Sequence, residues 1–182
     1  GSPLIARRLI RPIDRIVAAE LNKTDCAELG ALFARDRRVK VKLMDGYHSL
    51  KAHLPPKERR GLVLIDSSFD RAGEFERVSD ALATAQRRFA TGICALWYPL
   101  MDAVSMQGFE RHMIATGVRK ILQCELAVRD VTIAGKVRGC GMLVVNPPFG
   151  FDVIAATILA YLKPLLAEKN EGFERVRWLV PE

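Results

Sequence analysis

The chain has 182 residues, 49% of them hydrophobic, and a formal net charge of +7 from 28 Lys and Arg against 21 Asp and Glu. That length supports one ordinary core and a single domain over 1–182, and the basic excess suits either a polyanionic partner such as nucleic acid or simply a soluble protein of high pI. Cys26, Cys94, Cys124 and Cys140 are scattered, with no C-x-x-C and no neighbouring His, which argues against a metal centre or disulfide framework and for a reducing cytoplasm, while no apolar stretch is long enough to cross a membrane.

In chain order, Ser2-Pro3 reads as a helix start, with Ser2 as cap and Pro3 at the first helical position, and Pro12 as the stop. Residues 15–21 read as a strand ending on Glu20. Thr24 is the candidate cap of a helix that turns Cys26, Leu29, Leu32 and Phe33 inward. Residues 39–44 alternate as a strand does and end at Asp45-Gly46; residues 47–54 are predicted helical, with Pro55-Pro56 as breaker.

The run Leu62-Val63-Leu64-Ile65 then ends abruptly in Asp66-Ser67-Ser68-Phe69. Four apolar residues in succession predict a strand buried on both faces, as in a parallel sheet, with one carboxylate at its C-terminal edge. In open α/β sheets that edge is where ligands bind. Beyond it, Phe75, Val78, Leu82 and Ala85 mark a helix closed near Gly92, residues 93–98 a strand, and Val104, Met106, Phe109 and Met113 a helix stopped at Gly117. Residues 119–128 and 139–145 are two strands whose short basic connection (Arg129, Lys136, Arg138) allows an antiparallel pair. Residues 151–166 form an apolar helix with Pro164 near its end, and residues 173–180 a last strand.

Strands alternating with helices predict an α/β fold with a mainly parallel sheet. Three successive strands end on a carboxylate, Glu20, Asp45 and Asp66. One such residue would only cap the following helix; three favour a polar ligand lying across the strand ends. His48, His53 and His112 have no partners at metal or triad spacing and read as surface or satisfied histidines. Glu125, in mid-strand, calls for a cationic partner that the sequence does not identify.

The order strand–Glu20, strand–Asp45-Gly46, strand–Asp66-x-x-Phe69 resembles the Rossmann-like class I S-adenosylmethionine-dependent methyltransferases. With Gly1-Ser2-Pro3-Leu4-Ile5-Ala6, Arg59-Arg60-Gly61-Leu62, Arg88-Phe89-Ala90-Thr91-Gly92, Ala95-Leu96-Trp97-Tyr98-Pro99, Arg119-Lys120-Ile121-Leu122-Gln123 and Trp178-Leu179-Val180-Pro181-Glu182, the chain is similar from end to end to the bacterial 23S ribosomal RNA adenine N6-methyltransferases, once described as proteins of external-DNA catabolism. It resembles their C-terminal two thirds. The resemblance implies S-adenosylmethionine as cofactor, protein-free 23S ribosomal RNA as partner, no metal, and a monomer.

It also implies roles. Glu20 would accept hydrogen bonds from the cofactor's ribose hydroxyls. Asp45 and Gly46 would hold its adenine, and Ser2 would make a further cofactor contact. Asp66 would be catalytic, accepting from the target adenine's amino group beside the cofactor's methyl, and Phe69 would stack on the flipped-out base. Two departures stand out. Asp66-Ser67-Ser68-Phe69 replaces Asp-Pro-Pro-Tyr, so the prolines that stiffen the turn are lost, and restoring them at Ser67 and Ser68 is expected to raise the rate. The N-terminal strand and glycine loop of the family are missing, so the chain reads as a fragment with poor cofactor affinity of its own.

Val145-Asn146-Pro147-Pro148-Phe149 matches another adenine N6-methyltransferase motif letter for letter but follows a late strand. It reads as a structural turn. Rival functions are a non-catalytic nucleic-acid-binding relic of the fold and methylation of DNA adenine. The basic groups Arg7-Arg8-Arg11, Arg35-Arg37-Arg38 and Lys57-Arg59-Arg60 are solvated faces or, with an RNA partner, phosphate contacts.

Overall fold

The computed structural model describes residues 1–130, 137–167 and 171–182, and Lys136 of the basic connection lies outside them. Two compact units emerge, Gly1–His53 and Leu54–Glu182. The first contains α1 (Ser2–Leu9), β1 (Ile16–Glu20), α2 (Lys23–Leu32), β2 (Val39–Leu43) and α3 (Gly46–His53). β1 and β2 pair in parallel, Ile16 opposite Val39 and Glu20 opposite Leu43. The intervening α2 makes the crossover that a parallel pair requires, and Phe33 and Val39 are its buried anchors.

Both predicted caps are corrected. Ser2 makes no side-chain cap on α1; it stands inside the first turn, with Gly1 at the cap and the proline at the helix start. α2 is capped by Asn22, whose Oδ1 accepts from the Thr24 and Asp25 amides at 2.8 and 3.3 Å, so Thr24 lies already within the helix. Leu32 is not inward either, being 59% exposed. Asp36, in the turn before β2, holds both Arg38 and Arg7.

The second unit contains β3 (Leu62–Ile65), α4 (Glu74–Arg88), β4 (Ile93–Pro99), α5 (Ala103–Ala115), β5 (Ile121–Ala127), β6 (Gly139–Val145), α6 (Phe151–Leu166) and β7 (Glu174–Val180). Its sheet runs β3-β4-β6-β5-β7. Only β3 and β4 are parallel; β4–β6, β5–β6 and β5–β7 are antiparallel. The expected antiparallel pair is therefore present, but the sheet is mixed rather than mainly parallel. α4 packs Val78, Leu82 and Ala85 into the core and α5 packs Met106, Phe109 and Met113, whereas Val104, expected inward, is 76% exposed. Gly117, at φ 75°, takes the left-handed turn that ends α5.

β3 departs from its predicted burial. It is an edge strand, and Leu62 and Leu64, two residues apart on one face, are 64% and 43% exposed, while Ile65 is buried. An apolar run alone does not distinguish a central strand from an edge strand with one open face.

The interior of this unit is organised around a buried carboxylate. Glu125 on β5 accepts from the Tyr98 hydroxyl at 2.7 Å, from Gln123 Nε2 at 3.0 Å and from Arg175 Nε at 2.8 Å. Arg175 is the partner that the sequence left unidentified, and it lies directly opposite Glu125 in the β5–β7 register. Tyr98 is on β4, which β6 separates from β5, and Gly141 of β6 stands in register with both Tyr98 and Glu125. A Cβ on Gly141 would fall into the Tyr98 ring. Gly141→Ala should therefore displace that ring and weaken the bond to Glu125, costing about 1–3 kcal/mol from overpacking alone, measured by equilibrium urea denaturation. An unchanged midpoint would show that Tyr98 does not need this gap.

Candidate active site

Glu20 and Asp45 occupy neighbouring strand ends in the first unit. The parallel register sets Glu20 beside Leu43, and the Met44 amide donates to the Glu20 carbonyl at 3.0 Å, so Asp45 follows at the same edge. Glu20 Oε1 accepts from the Asn22 amide at 2.8 Å, and among the described residues Oε2 makes no hydrogen bond. Asp45 Oδ1 accepts from the His48 amide at 2.9 Å, so it also caps α3. Gly46 opens that helix, and a Cβ there would meet nothing within 4 Å. Its φ is not in the left-handed region, so the backbone itself does not demand glycine. What the position offers is open space for a flat group beside the chain. This edge therefore presents two carboxylates, with no atom close to the Cα of Gly46 on its side-chain face. Ser2 lies in the first turn of α1, and among the described residues no hydrogen bond joins it to this edge.

In the second unit Asp66 leaves the C-terminal end of β3. Its carboxylate is exposed and, among the described residues, has no hydrogen-bond or ion-pair partner. Phe69 follows at φ 55°, a conformation that costs a non-glycine residue about 1–3 kcal/mol and that gathers at functional sites. Its ring lies 5.0 Å from that of Phe75 and 6.0 Å, edge-on, from that of Trp97. Asp66 and Phe69 thus share one turn, with Trp97 at the adjacent strand end. Trp97 figures in the sequence only as part of a strand and of the family resemblance; the signal for its place beside this turn is position, one residue beyond the Leu96 that pairs with Ile65.

The turn is fastened without prolines. The Ser67 hydroxyl donates to Glu74 Oε1 at 2.6 Å, and Arg77 Nη1 donates to Glu74 Oε2 at 3.2 Å. Glu74 is buried and stands in the first turn of α4, where the helix dipole favours a negative charge. The expected loosening after loss of the prolines is thus opposed by a hydrogen bond that a proline at Ser67 would remove.

Asn146 sits elsewhere in the same unit. β6 is antiparallel to β4, so its last residue, Val145, pairs with Cys94 at the start of β4, and Asn146 emerges at the edge opposite Asp66. Its Nδ2 donates to the Ala90 and Gly92 carbonyls at 2.8 and 3.0 Å, its φ is 52°, and Phe149 is fully exposed. Both amide protons are spent on holding a turn. His53 Nδ1 meets the Ser49 carbonyl at 3.0 Å within α3, and His112 Nε2 of α5 meets Asp80 of α4 at 3.3 Å. Among the described residues no cluster of three His, Cys, Asp or Glu could hold a metal. The four cysteines are free thiols, and burial pushes Cys94 and Cys124 up to about 11. No helix is long and apolar enough to cross a membrane among the described residues.

The first unit thus carries Glu20 and Asp45 at neighbouring strand ends, and the second carries the Asp66-x-x-Phe69 turn at the end of β3. The chain belongs to the family described as ribosomal RNA large subunit methyltransferase D, RlmJ, whose model matches residues 1–180. It is 40% identical over all 182 residues to ribosomal RNA large subunit methyltransferase J of Escherichia coli and 41% identical to the protein of that name from Haemophilus influenzae. It spans 65% of the length of each. Among solved structures it is similar to protein LPL1258 from Legionella pneumophila, with a TM-score of 0.88 at 30% identity, covering 98% of this chain and 66% of that one.

The Ser67 tether makes the two proline replacements unequal. Ser67→Pro leaves a buried carboxylate short of a donor, whereas Ser68→Pro does not. Ser67→Pro should be the less stable of the two by about 1–3 kcal/mol in urea denaturation; equal stability would mean that the Ser67–Glu74 bond contributes nothing.

Proposed function

We propose that the intact protein is a Rossmann-like class I methyltransferase that transfers a methyl group from S-adenosylmethionine to N6 of an adenine in 23S ribosomal RNA, acting in the cytoplasm as a monomer on protein-free RNA. The observation that carries this reading is the exposed Asp66 carboxylate, without a partner among the described residues, sharing one turn with the Phe69 ring at a strand end, in a chain whose named relatives are ribosomal RNA large subunit methyltransferases. Bound S-adenosylmethionine supplies a methyl group on a positively charged sulfur. Glu20 accepts from the ribose hydroxyls, Asp45 accepts from the exocyclic amine of the adenine part, and Gly46 leaves room for the ring. Ser2 adds a contact from the start of α1.

Asp66 acts on the other adenine. An aromatic amine is a weak nucleophile because its lone pair is delocalised into the ring. A carboxylate that accepts from its N–H orients the nitrogen and takes up the proton that it sheds as the new N–C bond forms. Phe69 stacks on the extruded base, and its contacts with Phe75 and Trp97 limit how far the ring can turn. Among the described residues β3 pairs on one side only, with β4.

Two measurements test the reading. In calorimetric titration of the intact protein with S-adenosylmethionine, Glu20→Ala and Asp45→Ala should each weaken binding by about 1.5–3 kcal/mol, the value of a hydrogen bond to a charged group. Unchanged affinity in both removes the cofactor assignment. In methyl-transfer assays, Asp66→Ala should lose ~10²–10⁴-fold in rate with its fold intact, whereas Asn146→Ala should lose stability but little activity. A dead Asn146→Ala variant beside an active Asp66→Ala variant would move the site to the other edge. An intact protein that binds RNA but methylates no adenine would be the non-catalytic relic.

A further inference from the structure

The first unit has an open groove of about 620 Å³ walled by four arginines, Arg7, Arg8, Arg35 and Arg38, with Asp36 as the single acid and Leu32 as an exposed apolar wall. The groove therefore carries a net charge of about three positive units. The arginines divide into two kinds. Arg7 and Arg38 both grip Asp36, with Arg38 contacting both of its oxygens at 3.1 Å. The hydrogen bond from Arg38 holds the Asp36 carboxyl well below the usual carboxylate range, so Asp36 stays ionised and keeps these two guanidinium groups in place. Arg8, on the last turn of α1, and Arg35, in the turn between α2 and β2, are both exposed. Among the described residues neither has an acidic partner.

We propose that this groove binds the phosphodiester backbone of the RNA, with Arg8 and Arg35 as the phosphate ligands and the Arg7–Asp36–Arg38 cluster as the rigid wall that presents them. The proposal rests on the reading of RNA as the acceptor and adds a contact site to it. The physical case is one of uncompensated charge. Two guanidinium forks left without carboxylates among the described residues, beside two more that share one, concentrate positive potential on one open face of the unit. Guanidinium also matches phosphate oxygens in a bidentate fashion. The groove is open, and none of its cations is deeply buried, so a single small anion would remain hydrated and weakly held. A strand of linked phosphates engages both free arginines together and releases condensed counterions. The apolar wall at Leu32 suits a sugar rather than a hydrated ion.

The test is the salt dependence of binding of the intact protein to an RNA hairpin of about 25 nucleotides, followed by fluorescence anisotropy between 50 and 200 mM salt. Each phosphate contact contributes about 0.7–0.9 to the slope of log K against log salt. The double variant Arg8→Ala/Arg35→Ala should therefore flatten the slope by about 1.4–1.8 and weaken binding about tenfold or more near 0.1 M, while leaving affinity for S-adenosylmethionine unchanged. Arg8→Lys/Arg35→Lys, which keeps the charges, should recover most of the slope. The control Arg87→Ala/Arg111→Ala removes equal charge from exposed positions on α4 and α5 of the other unit and should leave the slope as it is. RNA binding with an unchanged slope in the Arg8/Arg35 variant overturns the groove and leaves the RNA reading standing. An equal loss in the control overturns it as well, because total charge alone would then explain the effect. A wild-type protein that binds no RNA removes the acceptor reading itself, before any variant is compared.

Discussion

The second unit depends on one buried carboxylate. Glu125 is almost wholly shut away from water, where a lone ionised group would be very costly, and it is tolerated because donors from three strands converge on it. Tyr98 comes from β4, Gln123 from β5 itself and Arg175 from β7. Arg177 repeats the arrangement one pair along the ladder, meeting Gln123 Oε1 at 2.7 Å and Glu110 of α5 at 2.6 Å. A slip of one residue in β7 would turn both arginines to the other face and strand the carboxylate. Register, edge strand and helix are thus set by the same few hydrogen bonds. They work only because Gly141 has no side chain in the line from Tyr98 to Glu125.

From that node a chain of rings runs to the candidate site. Tyr98 packs 5.0 Å from Phe109, Phe109 4.9 Å from Phe75, and Phe75 5.0 Å from Phe69. Each tilted contact is modest, yet the series joins a ring in an exposed turn to the most tightly bonded part of the interior. Ser67 fastens the same turn a second time, through Glu74 to the start of α4. A turn that has Ser-Ser in place of Pro-Pro is therefore anchored at both ends by side chains. Proline stiffens the unfolded and folded chain alike through φ, whereas these contacts act only after α4 has docked.

Much of this was legible in the sequence, and what was not has identifiable causes. Acid-ended strands announce themselves locally, because an apolar run and the residue that ends it are adjacent, and so Glu20, Asp45 and Asp66 could be read directly. Thr24 was read as the cap where Asn22 holds that place, because either residue type can cap and only the backbone angle chooses. Leu62 and Leu64 misled because an apolar run has the same pattern whether one face or two are covered. The β5–β6 pair followed from a short connection, but the order β3-β4-β6-β5-β7 depends on which strand β6 enters between, and no local signal encodes that. The Ser67–Glu74 bond spans a loop and belongs to no motif.

The two candidate turns share a pattern and differ in their surroundings. Asp66-Ser67-Ser68-Phe69 and Asn146-Pro147-Pro148-Phe149 each follow an apolar strand and each pair an amide- or carboxylate-bearing side chain with an aromatic ring. Strand direction separates them. β3 runs with β4, so Asp66 leaves at the C-terminal edge; β6 runs against β4, so Asn146 leaves at the other. At its edge Asn146 is met by two carbonyls, from Ala90 and Gly92, which take the protons of its amide and lock its orientation. At the opposite edge Asp66 meets no donor among the described residues, and Trp97 and Phe75 frame the ring beside it. The stiffer motif is thus tied back to the turn before β4. The looser one, held from behind by Glu74, keeps an acceptor turned outward.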